Sequence, residues 1–411
     1  MSTDAEKTIP DERSLTPQAT ASDIGAFSFA GAYLWHSLSW IDRLLAPAVL
    51  VAMVLGVVIG VYAEEGVRHA FKGTAQWDGV SIPILVGLLL MIWPALTKVQ
   101  WEKSLELFVN RSVLLHLAIS FVLNWIIAPF IMLALAWATL PESSLARERH
   151  GVLLVGVARC IAMVLIWTTI SRGDMNYCGL LVVFNSLLQV VLFAPYAVLF
   201  CNILGGSTHA VEAELTLNYG VAARAVGIYL GIPLAAGLVT RLVVLYTMKP
   251  SGLHRVLSLI SPIAPLGLLY TIIVLFASQG KRITDNIGSV FRICVPLVLY
   301  FTIVWGLTFF AFWKFSRTHR RGLGGYEMAV TQAFTAGSNN FELAIAVATA
   351  AFGPESPEVL AATLGPLIEV PVLLLLSYFA LWMRTTLRWS PLPDIDIDIE
   401  QPASSKSTPA V

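Results

Sequence analysis

The 411-residue chain is 57% hydrophobic and only 13% charged, with a mean hydropathy of +0.75, which excludes an ordinary water-soluble domain and places it in a bilayer. Its 26 basic and 26 acidic residues cancel and no long basic run occurs, which excludes an electrostatic footprint for nucleic acid. Cys160, Cys178, Cys201 and Cys294 each lie singly in or beside apolar runs, which excludes a disulfide framework and a CxxC zinc or redox motif.

In chain order, residues 1–38 form a polar N-terminal segment without the apolar stretch of a signal peptide, expected to be a disordered cytosolic tail. A helix needs about 20 mostly apolar residues to cross the hydrocarbon layer, because every backbone polar group must be bonded internally. Ten such segments follow, centred on 44–62, 81–97, 113–140, 151–170, 177–204, 221–246, 259–278, 290–313, 328–352 and 359–382. They group as a first five-helix half (39–204), a connecting loop (205–220) and a second five-helix half (221–388), with a disordered cytosolic tail at 389–411. The fold class expected is an all-α membrane protein.

With both termini cytoplasmic, Lys7, Arg13, Arg43, Arg384, Arg388 and Lys406 lie inside in the tails. Four loops on the same side add Lys98, Lys103 and Arg111; Arg172; Arg241, Lys249 and Arg255; and Lys314, Arg317, Arg320 and Arg321. The opposite side holds Arg68, Lys72, Arg147, Arg149, Arg224, Lys281, Arg282 and Arg292, so the balance of 17 to 8 obeys the positive-inside rule. The sequon Asn110-Arg111-Ser112 then faces the cytoplasm and is expected to be unused, and Arg172-Gly173-Asp174 reads as a loop turn.

Compared with itself at an offset of 180, the chain matches Gly87-Leu88-Leu89 with Gly267-Leu268-Leu269, and Gly173 with Gly353. The same offset aligns Asn185-Ser186-Leu187-Leu188-Gln189-Val190 with Gly365-Pro366-Leu367-Ile368-Glu369-Val370. Because the offset contains five spans, an odd number, the second half enters the membrane upside down relative to the first. Such inverted repeats recur in secondary transporters, where two pseudo-equivalent halves rock about a central site. No GxxxxGK[ST] loop is present, so an ATP-driven pump is disfavoured, and no cofactor is expected.

Ionisable groups inside a span are costly and therefore functional candidates: Arg159, Glu342 and Glu369. The fourth span carries Gly156, Arg159 and Cys160 in an apolar run, and the ninth carries Gly337-Ser338-Asn339-Asn340, poor helix formers halfway through a span. Such interruptions mark discontinuous helices whose backbone groups line a cavity. At the repeat offset Arg159 falls on Asn339 and Cys160 on Asn340, so the two should meet near the midplane. Cys160 is either a packing residue or, beside Arg159 and a helix break, a thiolate suited to soft metalloids. Arg159 serves either as a scaffold for a carboxylate or carbonyls, or as a functional group. Glu342 is a hydrogen-bond partner or a proton carrier. Asn185, Gln189 and Glu369 are expected to support the site, with a further helix break at Glu369 between Pro366 and Pro371.

At these residues the chain resembles the arsenite efflux permeases, the arsenical-resistance family of the bile acid and sodium symporter superfamily, with fungal members the most similar. The resemblance is carried by GVARCIAMVLIW (156–167), NSLLQVVLFAP (185–195), SNNFELAIAVA (338–348) and GPLIEVPVLLLL (365–376). It extends more weakly through SIPILVGLLLMIWP (81–94) and VPLVLYF (295–301). The resemblance implies ten helices in two inverted five-helix repeats, with broken helices 4 and 9 crossing at the centre of a plasma-membrane protein. It also implies extrusion of arsenite, in some members also antimonite, in exchange for protons, relying on Cys160 and Glu342. The longer charged insert of some fungal members between helices 8 and 9 is missing here, where that connection is short. One thiol, aided by oxygens from Ser338, Asn339 and Asn340, would hold trivalent arsenic loosely enough to release it. Sodium-coupled uptake of an organic anion, with Glu342, Asn339 and Glu369 as cation ligands, is the alternative. No HExxH, GxSxG or paired catalytic Asp motif suggests an enzyme, and the oligomeric state is not legible.

Overall fold

The computed structural model describes residues 40–71, 76–77, 80–98, 101, 111–205, 216–248, 250–318 and 325–389. The expected N-terminal tail, most of the connecting loop and the C-terminal tail beyond Trp389 lie outside them, as does Asn110 of the sequon.

Apart from a two-residue hairpin (β1 Gln76–Trp77, β2 Val80–Ser81), the described residues are helical or connecting. The chain runs through α1 (Trp40–Tyr62), α2 (Glu64–Phe71), α3 (Ile82–Lys98), α4 (Arg111–Phe121), α5 (Ala128–Thr139), α6 (Ala146–Val157), α7 (Met163–Ile170) and α8 (Met175–Val198). It continues through α9 (Tyr219–Val226), α10 (Ile232–Thr247), α11 (Pro250–Ile260), α12 (Ile263–Asp285), α13 (Ile287–Thr318), α14 (Tyr326–Gly337), α15 (Phe341–Phe352) and α16 (Pro357–Thr386). Among the described residues six helical stretches are long and apolar enough to cross a membrane: Val113–Thr139, Met175–Leu204, Tyr219–Thr247, Arg255–Asp285, Ile287–Ser316 and Pro357–Thr386. Pro47–Tyr62 and Ile82–Lys98 are shorter apolar helices. The two remaining expected spans, at 151–170 and 328–352, are each divided into a pair of short helices.

Local chemistry sets several of these boundaries. Asp174 caps α8 by accepting from Asn176 N (2.9 Å) and Tyr177 N (3.0 Å), Asn218 caps α9 through Gly220 N (2.8 Å), and Ser356 caps α16 through Val359 N (3.3 Å). Arg172-Gly173-Asp174 is the turn expected, with Arg172 at φ 57 and Asp174 N donating to Thr331 Oγ1 at 3.1 Å. Wider π-helical turns at Val122–Ile127 and Gly227–Gly231 each precede a proline, Pro129 and Pro233. A proline offers no N–H and crowds the carbonyl four residues back, and a wider turn relieves both.

The break expected between Pro366 and Pro371 is not there: α16 is one continuous 30-residue helix through both prolines. A proline costs about 3 kcal/mol in a helix interior. Here α16 is braced by α6, α13 and α15, and a break would strand several carbonyls away from water, a larger penalty than the bond each proline removes.

Two ion pairs tie α16 to the starts of the short helices. Arg147 of α6 grips Glu358 at the head of α16 through Nε (2.9 Å) and Nη2 (3.2 Å), and Arg384 at its tail donates to Glu327 of α14 at 2.9 Å. Fully buried Arg149 donates to Leu140 O (2.7 Å) and lies over the Trp137 ring at 3.8 Å. Close backbone approaches depend on glycine: a Cβ on Gly151 would sit 2.3 Å from Glu358 O, whereas one on Gly179 would meet nothing within 4 Å. We expect Gly151→Val to destabilise the protein by about 1–3 kcal/mol through forced separation of α6 and α16. Gly179→Ala should be neutral or stabilising by up to about 1 kcal/mol, both read by thermal unfolding in detergent.

Candidate functional site

The site forms where the two divided segments meet. Ala158 to Ala162 separate α6 from α7, and Ser338 to Asn340 separate α14 from α15. Carbonyls at the end of α6 lack the donors a continuing helix would give: Val155 O accepts from Ala158 N (3.1 Å), and the facing segment supplies further donors. Asn339 Nδ2 donates to Val155 O (2.7 Å) and Ala158 O (2.9 Å), and Asn340 N donates to Ala158 O (3.3 Å). Asn340 Oδ1 caps α15 by accepting from Leu343 N at 3.0 Å. On the other side Gln189 Oε1 accepts from Arg159 N. The polar residues that look like substrate ligands in the sequence are in part the partners of a backbone without water.

Beside this junction lies a small buried cavity lined by Met91, Ile92, Cys160, Ile161, Ala162, Met163, Asn340 and Glu342. Cys160 Sγ accepts from Val164 N at 3.3 Å, so the sulfur caps the start of α7 at the positive end of that helix. Ser338, whose hydroxyl donates to Phe334 O, also meets the thiol, and the Glu342 and Glu369 carboxyls are close enough to act on it electrostatically. Glu342 is 5% exposed and, among the described residues, takes no hydrogen bond beyond its own backbone N–H, leaving its carboxyl to the cavity. Asn340 Nδ2 donates to no other group among the described residues.

The other expected residues stand behind this wall. Arg159 points away from the cavity, donating to Gly156 O and to Tyr300 OH (3.3 Å), and no carboxylate pairs with it among the described residues. Asn185 accepts from Trp125 Nε1 (3.1 Å) and donates to Ser120 Oγ (3.4 Å), and Gln189 orders the Arg159 backbone. Glu369 is fully buried, faces Trp167, and has no hydrogen bond of ordinary length to either carboxylate oxygen. Ser338 and Asn339 touch the junction but do not line the cavity. Sequence reasoning overlooked Met91, Ile92, Ile161, Ala162 and Met163. The last three stand inside GVARCIAMVLIW, and the first two inside SIPILVGLLLMIWP, so only their apolar character hid them.

A helical, strongly apolar chain with six membrane-length stretches, closing around a buried thiol and carboxyl, is a polytopic membrane protein with an internal site. Residues 85–286 match the Sodium Bile acid symporter family. The chain is 35% identical over 375 residues to the arsenical-resistance protein Acr3 of Corynebacterium glutamicum, covering 90% of this chain and 95% of that one. It is 31% identical to an uncharacterized transporter of Synechocystis, over 83% of this chain and 88% of the relative. It is 27% identical to the arsenical-resistance protein Acr3 of Alkaliphilus metalliredigens, over 86% and 95% respectively. The chain therefore belongs to the arsenical-resistance Acr3 family and is an integral membrane protein.

Replacing Asn339 by Ala should remove one hydrogen bond from each of Val155 O and Ala158 O, leaving them to Ala158 N and Asn340 N, and cost about 1–3 kcal/mol. Asn339→Asp, which keeps the shape but loses the donors, should cost at least as much. Thermal unfolding of the purified protein checks both.

Proposed function

We propose that the chain is an arsenite efflux permease working by arsenite/proton antiport in the plasma membrane, with both termini cytoplasmic, and that antimonite is a second substrate. The observation that carries this reading is the pairing of Cys160 and Glu342 in one buried cavity, in a chain related over nearly its whole length to proteins named for arsenical resistance. Arsenite near neutral pH is an uncharged trihydroxide, which enters a low-dielectric site without the cost of burying a charge. Condensation of the Cys160 thiol with one hydroxyl forms a sulfur–arsenic bond and releases water, and the reverse hydrolysis frees both. A single thiol makes the bond reversible, and the Asn340 amide hydrogens and the Glu342 carboxyl can meet the two remaining hydroxyls.

The motion we propose is that of ten spans in two inverted five-helix repeats, 39–204 and 221–388. Several observations support it. Adding 180 to Ala146–Val157 gives 326–337, the bounds of Tyr326–Gly337, and adding it to Met163–Ile170 gives 343–350, inside Phe341–Phe352. Repeat-related Gly87 and Gly267 both lie where α3 crosses α12, each within contact of the other helix's atoms. α8 packs on α6, α7 and α14, and α16 packs on α6, α7, α14 and α15, so each contacts short helices of both halves. Ala162 and Glu342, 180 apart, line the same cavity. In this reading α6–α7 and α14–α15 are helices 4 and 9, discontinuous and crossing at the site. Cytosolic substrate engages Cys160 as Glu342 releases a proton inward. Rocking then exposes the site outward, where reprotonation displaces the substrate.

A second reading, sodium-coupled uptake of an organic anion, is favoured by the match to the Sodium Bile acid symporter family and by the electrostatic proximity of Glu342 and Glu369. Arsenite accumulation in everted vesicles separates the two: a proton gradient should drive it and a sodium gradient should not. Cys160→Ser and Glu342→Gln should each reduce exchange at least about 100-fold, the loss of roughly 2.7 kcal/mol. Full exchange in either variant would defeat the antiport mechanism. Arsenite tolerance of a sensitive host should follow the same order, with protection by the wild-type chain and none by Cys160→Ala.

A further inference from the structure

We propose that Met91 and Met163 are specificity-determining residues, whose thioethers join the Cys160 thiol in a soft, sulfur-bearing wall that selects a trivalent metalloid over other neutral hydroxides. The inference rests on the arsenite reading above. Of the eight residues around the cavity, three carry sulfur, and they reach it from two parts of the fold. Met163 opens α7, three residues beyond Cys160, so thiol and thioether share one turn of chain. Met91 comes from α3, which packs chiefly on α10 and α12, not on the elements that carry Cys160. Both are buried, at 3% and 5% exposure, and the apolar Ile92, Ile161 and Ala162 complete the lining with Asn340 and Glu342.

A trihydroxide bound at Cys160 presents two kinds of surface. Its hydroxyls are shared with boric acid, which has the same three-hydroxyl shell, and Asn340 and Glu342 can bond to either. Only the central atom differs: trivalent arsenic is soft and polarisable, boron hard. Thioethers are polarisable and favour soft centres, whereas a hydrocarbon of equal volume offers contact without that preference. Since Met91 comes from a separate helix, it adds a second thioether that the Cys160 segment cannot itself supply.

The test uses the full-length chain in everted vesicles and compares wild type with Met91→Leu, Met163→Leu and the double variant, a swap that conserves volume. The expected result is a KM for arsenite raised roughly tenfold in the double variant, with the maximal rate within about twofold of wild type. Excess boric acid should leave wild-type arsenite transport unchanged and inhibit the double variant measurably. An arsenite KM within twofold of wild type, or a lost maximal rate at unchanged KM, would overturn the proposal, the latter by showing a structural role only. A wild-type chain that moves no arsenite would instead sink the function proposed above, and this inference with it.

Discussion

The governing constraint is that a bilayer interior offers no water to an unpaired backbone group, and this membrane protein interrupts two of its buried helical segments. Each interruption survives because the other repairs it. The Asn339 carboxamide donates to both Val155 O and Ala158 O, Asn340 N adds a second donor to Ala158 O, and Gln189 takes up the Arg159 N–H. Isolated, either segment would strand several polar groups at about 1–3 kcal/mol apiece. Together they form a polar knot, and the cavity occupies the space beside it because irregular backbone cannot fill its surroundings as a helix does.

The knot also divides labour among residues that look alike in the sequence. Ser338, Asn339 and Asn340 form one polar run, yet Asn339 is committed to carbonyls, Ser338 to Phe334 O, and only Asn340 reaches the cavity. Arg159 and Cys160 are neighbours, yet the guanidinium turns to Gly156 O and Tyr300 while the thiol turns to the cavity. Alternation of this kind is what a chain without helical periodicity produces, since consecutive side chains there point to different sides.

Much of this was legible in the sequence because apolar length and buried charge are local properties. The long helices, the two interruptions and the Cys160 and Glu342 candidates all follow from residues read in order. The prolines of α16 misled for a matching reason: Pro366 and Pro371 signal a break locally, and only the bracing by α6, α13 and α15 keeps the helix whole. The contributions of Met91 and Ile92 were hidden because they depend on α3 arriving at the cavity from about 70 residues away along the chain, and nothing in an apolar helix marks which of its faces does so.

The ion pairs at the two ends of α16 carry a last consequence. Glu358 and Arg384 are 26 residues apart, which at about 1.5 Å per residue is roughly 39 Å of helix, close to the thickness of a bilayer with its headgroups. Because Glu358 pairs with α6 and Arg384 with α14, one continuous helix ties together, at its opposite ends, the short helices that lead into the two interruptions. A bilayer of different thickness can be accommodated by tilt of such a helix, which leaves its length, and the distance between its two ion pairs, unchanged.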